Sequence, residues 1–255
     1  MQLLIIRHAE PDYETDSLTE RGAREAELLG KFLQNEKIDD IYVSPLGRAK
    51  ETARYTLEKI GKEATALEWL REFNAAARVW EDPELKRALP PYGKIDTWGF
   101  RSCWDILPDF WTKDERYYHP QDWRKTLVAE HSNIEEVYDK VAAGVDALLA
   151  NYGYFREGNC YRVEGGTHKK IALFCHFGVE GVILSHLWNI SPFALWHASV
   201  SLPTGVTRLN TEERRKGTAI FRMTCFGDLS HLALGGEEGS FAGRFCECFD
   251  DDTRH

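Results

Sequence analysis

Apolar positions along the chain alternate between two rhythms. Leu3, Leu4, Ile5 and Ile6 form an unbroken run, which fits a strand buried on both faces of a sheet. The stretch "SLTERGAREAELLGKFLQNEKI" then spaces Ala26, Leu29 and Leu33 as one helical stripe, with Ser17 and Thr19 placed to cap its start. "DDIYVSP" returns to a short strand. "SPLGRAKETARYTLEKIG" is again helical, with Ser44 as the expected N-cap and Pro45 at the first helical position. "TALEWLREF" reads as a third strand. Strand and helix in turn predict a layered α/β domain with a largely parallel sheet.

The rhythm breaks between Asn74 and Asn133. This stretch holds Trp80, Trp98, Trp104, Trp111 and Trp123 with several prolines and no clear period. A structureless loop of that length is foreign to a compact domain, so residues 74–133 are expected to form an inserted cap stapled by its aromatics. Alternation resumes with the helix "NIEEVYDKVAAGVDALLANY", a hairpin turning at Glu157-Gly158-Asn159, and a buried strand at Ile171–Cys175. A helix over "GVEGVILSHLW" and two late strands, around Val206–Leu209 and Ala219–Thr224, complete the pattern. After Gly235 the chain is glycine-rich and acidic and reads as an extension without assignable chemistry. Residues 1–255 are thus expected to be one domain carrying the 74–133 insertion.

Charge and cysteine usage narrow the function classes. With 32 Lys and Arg against 41 Asp and Glu the net charge is −9, which argues against a general nucleic-acid binder and leaves room for a local basic pocket. The N-terminus shows no basic leader followed by an apolar stretch and a cleavage site, and no run approaches the roughly 18 apolar residues of a membrane span. The six cysteines form no CxxC, and Cys246 with Cys248 makes only a CxC, too little for a zinc site. Reduced thiols in a cytoplasmic protein, with no metal and no cofactor, are expected.

The polar residues that end the apolar runs carry the chemistry. In open α/β sheets, ligands bind beyond the carboxyl ends of the strands. Arg7 and His8 end the first run, His176 ends the run Ile171–Phe174 just before a helix, and Glu72 follows the third expected strand. Arg48 falls in the first turn of the helix after Ser44, where a cation opposes the helix macrodipole and a bound anion would reverse that balance. Each has an ordinary alternative, a solvated strand end or a surface arginine. The four-fold repetition of the placement points instead to an anion site.

At these same residues the chain resembles a known family. "IIRHAEPD" resembles the Arg-His-Gly signature of the histidine phosphatase superfamily, whose fold is phosphoglycerate-mutase-like. "LTERGAREA" is similar to that family's Leu-Thr-x-x-Gly-x-x-x-Ala stretch, and "VSPLGRAKETA" to its Ser-Pro-x-x-Arg-Ala-x-x-Thr-Ala. "WLREF" looks like the segment supplying its acid, "ALFCHFG" like its second histidine block, and "FGDLSHL" like the end of its last core strand. The matches fall in the family's order and cover most of residues 1–72 and 134–232. Ala9 replaces the signature glycine, and Phe177 replaces the glycine after the second histidine, so its ring must point elsewhere and narrow the pocket.

The resemblance implies a three-layer α/β/α sandwich with a mostly parallel central sheet. It also implies a phosphatase-branch enzyme of the histidine acid type, a metal-independent phosphomonoesterase. Arg7, Arg48, His176 and the Phe177 N–H would bind the phosphate, and His8 would attack phosphorus to give a phosphohistidine. Glu72 would protonate the leaving oxygen and later activate water. His231, in the matched ending, would support the site from behind, and the other histidines are expected to be structural or exposed. Phosphoglycerate mutases of this fold carry an Asn-x-x-x-x-x-Gly-Trp stretch that "PDYETDSLTE" lacks, which weighs against the mutase alternative. A non-catalytic phospho-ligand binding module, the other alternative, is opposed by the intact set of site residues. The expected partner is a small phosphorylated substrate chosen by the cap, through an aromatic wall and one of Arg78, Arg101 and Arg124. The sequence leaves the oligomeric state open.

Overall fold

The apolar run at the start of the chain is divided between two cores. The computed structural model describes residues 1–90, 100–244, 247, 248 and 250. In it, β1 (Gln2–Arg7) turns Leu4 and Ile6 to one side and Leu3 and Ile5 to the other, as the two-residue period of a strand requires. On the Leu4 side lie α1 (Glu20–Leu33) and α2 (Gly47–Ile60), contributing Leu29, Leu33, Ala49 and Ala53. On the Leu3 side lie α3 (Ile134–Ala150) and α4 (Phe177–Trp188), contributing Val141, Val145, Val179 and Val182. The result is helix, sheet, helix.

The sheet has eight strands. Besides β1 they are β2 (Asp40–Val43), β3 (Thr65–Ala66), β4 (Tyr154–Glu157), β5 (Cys160–Val163), β6 (Lys170–Cys175), β7 (Val206–Arg215) and β8 (Thr218–Asp228). Their order is β3-β2-β6-β1-β7-β8-β5-β4. The first four are mutually parallel, and β7 and β5 run against the rest, so six of the eight strands point the same way. β1 and β6 are paired from Gln2↔Lys170 to Arg7↔Cys175, which brings His8 and His176 out side by side at the same end of the sheet.

Local chemistry departs from the sequence reading at three places. Thr19 does cap α1, accepting from the Gly22 N–H at 3.0 Å. Ser44, however, does not cap α2, which begins at Gly47 behind Leu46. The Asp16 carboxylate takes the Gly47 N–H instead, at 2.6 Å. The third strand shrinks to Thr65–Ala66, because a 3₁₀ turn at Glu68–Leu70 buries Leu70 and curls the chain away from β2 before Glu72 is reached. The late strands are longer than their apolar cores, since the β7–β8 ladder continues into exposed charged pairs.

The 74–133 stretch contains a two-stranded ribbon, Ala76–Arg78 with Phe100–Ser102, and several short helices. Its aromatics pack outward onto the main layers rather than only on one another. Tyr117 and Trp123 are fully buried against Phe193, and Trp104 meets Trp196, both partners lying on the helix Pro192–Ala198. Trp80 stays 55% exposed, and Trp98 lies outside the described residues.

Ile5 has no exposed surface and sits in the central strand. Ile5→Ala is therefore expected to cost about 2–5 kcal/mol, by lost burial and a residual cavity. Urea unfolding checks this through a lower midpoint at unchanged slope; a loss under about 1 kcal/mol would show that the strand is not in the core.

Candidate active site

His8 leaves β1 with both ring nitrogens engaged. Nδ1 faces the Ala9 carbonyl at 2.7 Å, and Nε2 faces the Arg48 Nε–H at 3.3 Å. A carbonyl only accepts and a guanidinium only donates, so Nδ1 carries the proton and Nε2 holds the lone pair. Burial, followed by the charge of Arg7, pushes the His8 pKa down to about 3, which keeps the ring neutral. The Ala9 N–H donates to Thr52 Oγ1 at 2.9 Å, and Thr52 is bonded in turn to the Arg48 carbonyl, so the loop that holds the ring is tied to α2.

Arg7 is only 3% exposed. Its Nη1 donates to the Ser201 carbonyl at 2.6 Å and its Nη2 to the Ala242 carbonyl at 3.2 Å, while Nε is buried without a partner. Among the described residues no carboxylate stands within ion-pair distance of it. Burial lowers the Arg7 pKa, and the fields of Glu72, Tyr13 and Glu180 raise it. The acidic extension, which carried no assignable chemistry in the sequence, thus reaches the site. It is moored by Arg24–Glu237 at 2.6 Å, by Arg21 on the Glu238 carbonyl, and by Ser240 Oγ on Glu10. Gly243, at φ +86°, packs so close that a Cβ there would lie 2.6 Å from Arg7 Nη2.

Arg48 enters from the first turn of α2. Its Nη1 pairs with Asp16 at 2.6 Å while its Nε faces His8, so one carboxylate serves both the helix N-terminus and the arginine. His176 is completely buried, with its ring centroid 5.0 Å from that of His8. Ser44 Oγ accepts from the Leu46 N–H and lies 2.7 Å from His176 Nε2. The His176 Nδ1 is buried without a partner. Burial, then the nearby His8, Arg48 and Arg7, hold the His176 pKa well below the usual histidine range.

Glu72 closes the arrangement. Its Oε1 accepts from the Phe73 N–H at 2.8 Å and from the Val179 N–H, in the first turn of α4, at 3.3 Å. Burial nonetheless raises its pKa, against these N–H groups and the fields of Arg7 and Arg48. Phe177 is the first residue of α4, so its N–H is among those that no helical carbonyl takes. Its ring turns onto Trp104 at 5.3 Å, nearly parallel. His231 sits behind the site. Its Nε2 meets Thr204 Oγ1 at 2.9 Å, and the Thr204 N–H donates to the His8 carbonyl.

The residues expected to act together, Arg7, His8, Arg48, Glu72, His176 and Phe177, are therefore assembled at one end of the sheet. The model of the histidine phosphatase superfamily (branch 1) matches residues 3–222. The chain belongs to the histidine phosphatase superfamily. It is 22% identical over 241 residues to phosphoserine phosphatase 1 of Hydrogenobacter thermophilus, across 88% of this chain and 93% of that protein. A phosphoserine phosphatase variant of Entamoeba histolytica, solved with phosphoserine, superposes with a TM-score of 0.57 at 20% identity over 91% of this chain and 98% of that one. A mycobacterial glucosyl-3-phosphoglycerate phosphatase superposes with a TM-score of 0.56 at 16% identity over 89% and 98%. At such identities the structural likeness is one of fold.

This histidine phosphatase also contains groups that the sequence reading passed over. Asp16 stood beside a recognisable helix start and carried no signal of its own. Glu180 lies on the buried face of α4, four residues past His176. Its Oε1 accepts from Thr207 at 2.5 Å, its Oε2 is buried without a partner, and burial pushes its pKa up to about 7. An acid in the otherwise apolar run "GVEGVILSHLW" was the available clue. Of the three candidate arginines for the substrate in residues 74–133, Arg78 pairs with Glu81, Arg124 pairs with Asp139 and Glu135, and Arg101 is buried.

Gly243→Val is expected to lift the extension off Arg7, since the new side chain meets the guanidinium in a backbone conformation costing about 1–3 kcal/mol. The affinity for inorganic phosphate should fall about tenfold while the unfolding midpoint barely moves. Unchanged phosphate affinity in calorimetry would show that the extension does not hold Arg7.

Proposed function

We propose that the protein is a phosphomonoesterase of the histidine acid type that acts on a small phosphorylated substrate through a phosphohistidine at His8, without a metal. One observation carries this reading: a neutral imidazole whose Nε2 lone pair faces the Arg48 guanidinium, beside the buried Arg7, which among the described residues has no ion-paired carboxylate. Such a place favours a dianion over water and offers it a nucleophile. The matching family model and the phosphatases among the relatives support it.

In this reading the phosphate displaces the Arg48–His8 contact and takes N–H groups from Arg7, Arg48, His176 Nδ1 and the Phe177 backbone. Those donors neutralise the dianion and spread the charge that builds on the equatorial oxygens, the main task in phosphoryl transfer. His8 Nε2 bonds to phosphorus as the P–O ester bond breaks, and Nδ1–H stays on the Ala9 carbonyl, which stabilises the ring as it becomes positive. The protonated Glu72 gives its proton to the departing oxygen. As carboxylate it then takes a proton from a water that attacks phosphorus and breaks the P–N bond. Phosphate leaves, and both groups return to their starting states. Residues 74–133 act as the cap over this pocket. A reduced, cytoplasmic setting is part of the same reading.

Mixing enzyme with substrate in EDTA and quenching within a turnover is expected to trap an acid-labile, base-stable phosphoryl group on His8, with activity undiminished by the chelator. Label on another residue, or activity lost to EDTA and restored by magnesium or zinc, would overturn the assignment.

The pH dependence follows from the shifted groups. His8 stays neutral until pH falls toward about 3, so the acidic side holds its activity well below an ordinary histidine limit. The alkaline side falls as Glu72, whose pKa is raised by burial, loses its proton. Glu72→Gln is expected to cost roughly 10²–10⁴-fold on an alkyl phosphate. The loss should be much smaller on 4-nitrophenyl phosphate, whose leaving group needs no proton. Equal losses on both esters would remove the acid role.

A further inference from the structure

We infer that the leaving group of the substrate lies on a wall formed by Trp104 and Phe177, with Tyr13 beside Arg48. The preferred substrates are then phosphomonoesters of alcohols that carry a flat apolar group next to the ester oxygen. This rests on the phosphomonoesterase reading and adds the substrate class.

The argument starts at Gly178, the second residue of α4. A Cβ placed there would lie 2.8 Å from Glu72 Oε1, 2.8 Å from Trp104 Cζ3 and 3.1 Å from Phe73 Cβ. The carboxyl group assigned to protonate the leaving group, through its acceptor oxygen Oε1, and the edge of the Trp104 ring therefore meet over one Cα. Only glycine lets them both approach. Phe177 stacks on Trp104 with an interplanar angle of 24°, and the Arg7 guanidinium carbon stands 5.8 Å from the Phe177 ring centroid. A continuous aromatic surface thus runs from the group that grips phosphate to the group that protonates the ester oxygen. The carbon attached to that oxygen has to continue along it.

The wall is rigid. Trp104 meets Trp196 edge-on at 6.4 Å, and Trp196 Nε1 donates to the Gly178 carbonyl at 3.0 Å. Tyr13 is 66% exposed, and its ring lies 5.4 Å from the guanidinium carbon of Arg48, the other arginine of the site. Flat rings stack well on such fixed surfaces. A leaving group bearing an ammonium and a carboxylate would have to shed water against carbon. Arg71, whose charge reaches His176, is the cation at hand, and it is paired with Glu68 at 3.1 Å.

The test compares kcat/KM for benzyl phosphate, propyl phosphate and phosphoserine, all esters of primary alcohols, so that the chemical step is closely matched. Benzyl phosphate is expected to exceed both others by roughly tenfold or more. In Trp104→Ala the benzyl-to-propyl ratio should fall about tenfold, Phe177→Leu should lower it as well, and Trp104→Phe should keep most of it. Should Trp104→Ala fail to fold, inhibition of the unaltered enzyme by benzylphosphonate against propylphosphonate reads the same preference. Phosphoserine matching or beating benzyl phosphate, or a ratio untouched in folded variants, would overturn the inference. Failure to turn over any of the three esters, and 4-nitrophenyl phosphate as well, would instead strike down the phosphomonoesterase reading beneath it.

Discussion

A guanidinium buried in the end of a central strand, held by two backbone carbonyls and by no ion pair among the described residues, is the constraint around which this site is organised. Taking such a cation out of water costs several kcal/mol even after relaxation. The fold offsets that with two carbonyls on Arg7, from Ser201 and Ala242, and with the fields of Glu72 and Glu180. None of these is a direct ion pair. The charge stays available to a ligand, and the loops that supply its carbonyls must be held in place for it to keep its position. His231 and Thr204 belong to that scaffold, bracing the turn that carries Ser201 and the His8 carbonyl.

The same burial divides the work among the titratable groups. It pushes imidazoles toward their neutral form and carboxyls toward their protonated form, whatever the bulk pH. Around one point the protein therefore keeps two guanidinium groups, two imidazoles held toward their neutral form, and a carboxyl with raised pKa. Environments that drive acid and base groups apart are how a single site does both kinds of chemistry near neutrality.

Much of this could be read from the residues. Continuous apolar runs ending on Arg7, His8 and His176 told where the strands stop, and parallel pairing makes neighbouring stops coincide. Helices α1 and α3 followed from their stripes. What escaped had no local period. Ser44 looked like a cap because serine before proline usually is one, yet its hydroxyl serves His176, and Asp16, 31 residues away, replaces it at Gly47. The strand over "TALEWLREF" is cut to Thr65–Ala66 because burying Leu70 favoured a tight turn over pairing. Composition alone set residues 74–133 apart as a break in the period. That the tryptophans there face Phe193 and Trp196 depends on long-range packing that no window of sequence contains.

The bond between Arg7 and Ala242 spans 235 positions of the chain. The buried apolar residues, in contrast, end at Leu232 among the described residues. A ribosome therefore releases enough chain to fold the cores before it releases the carbonyl that finishes the arginine. A shortened product ending between these points would resemble the whole protein in its layers while lacking part of its anion grip.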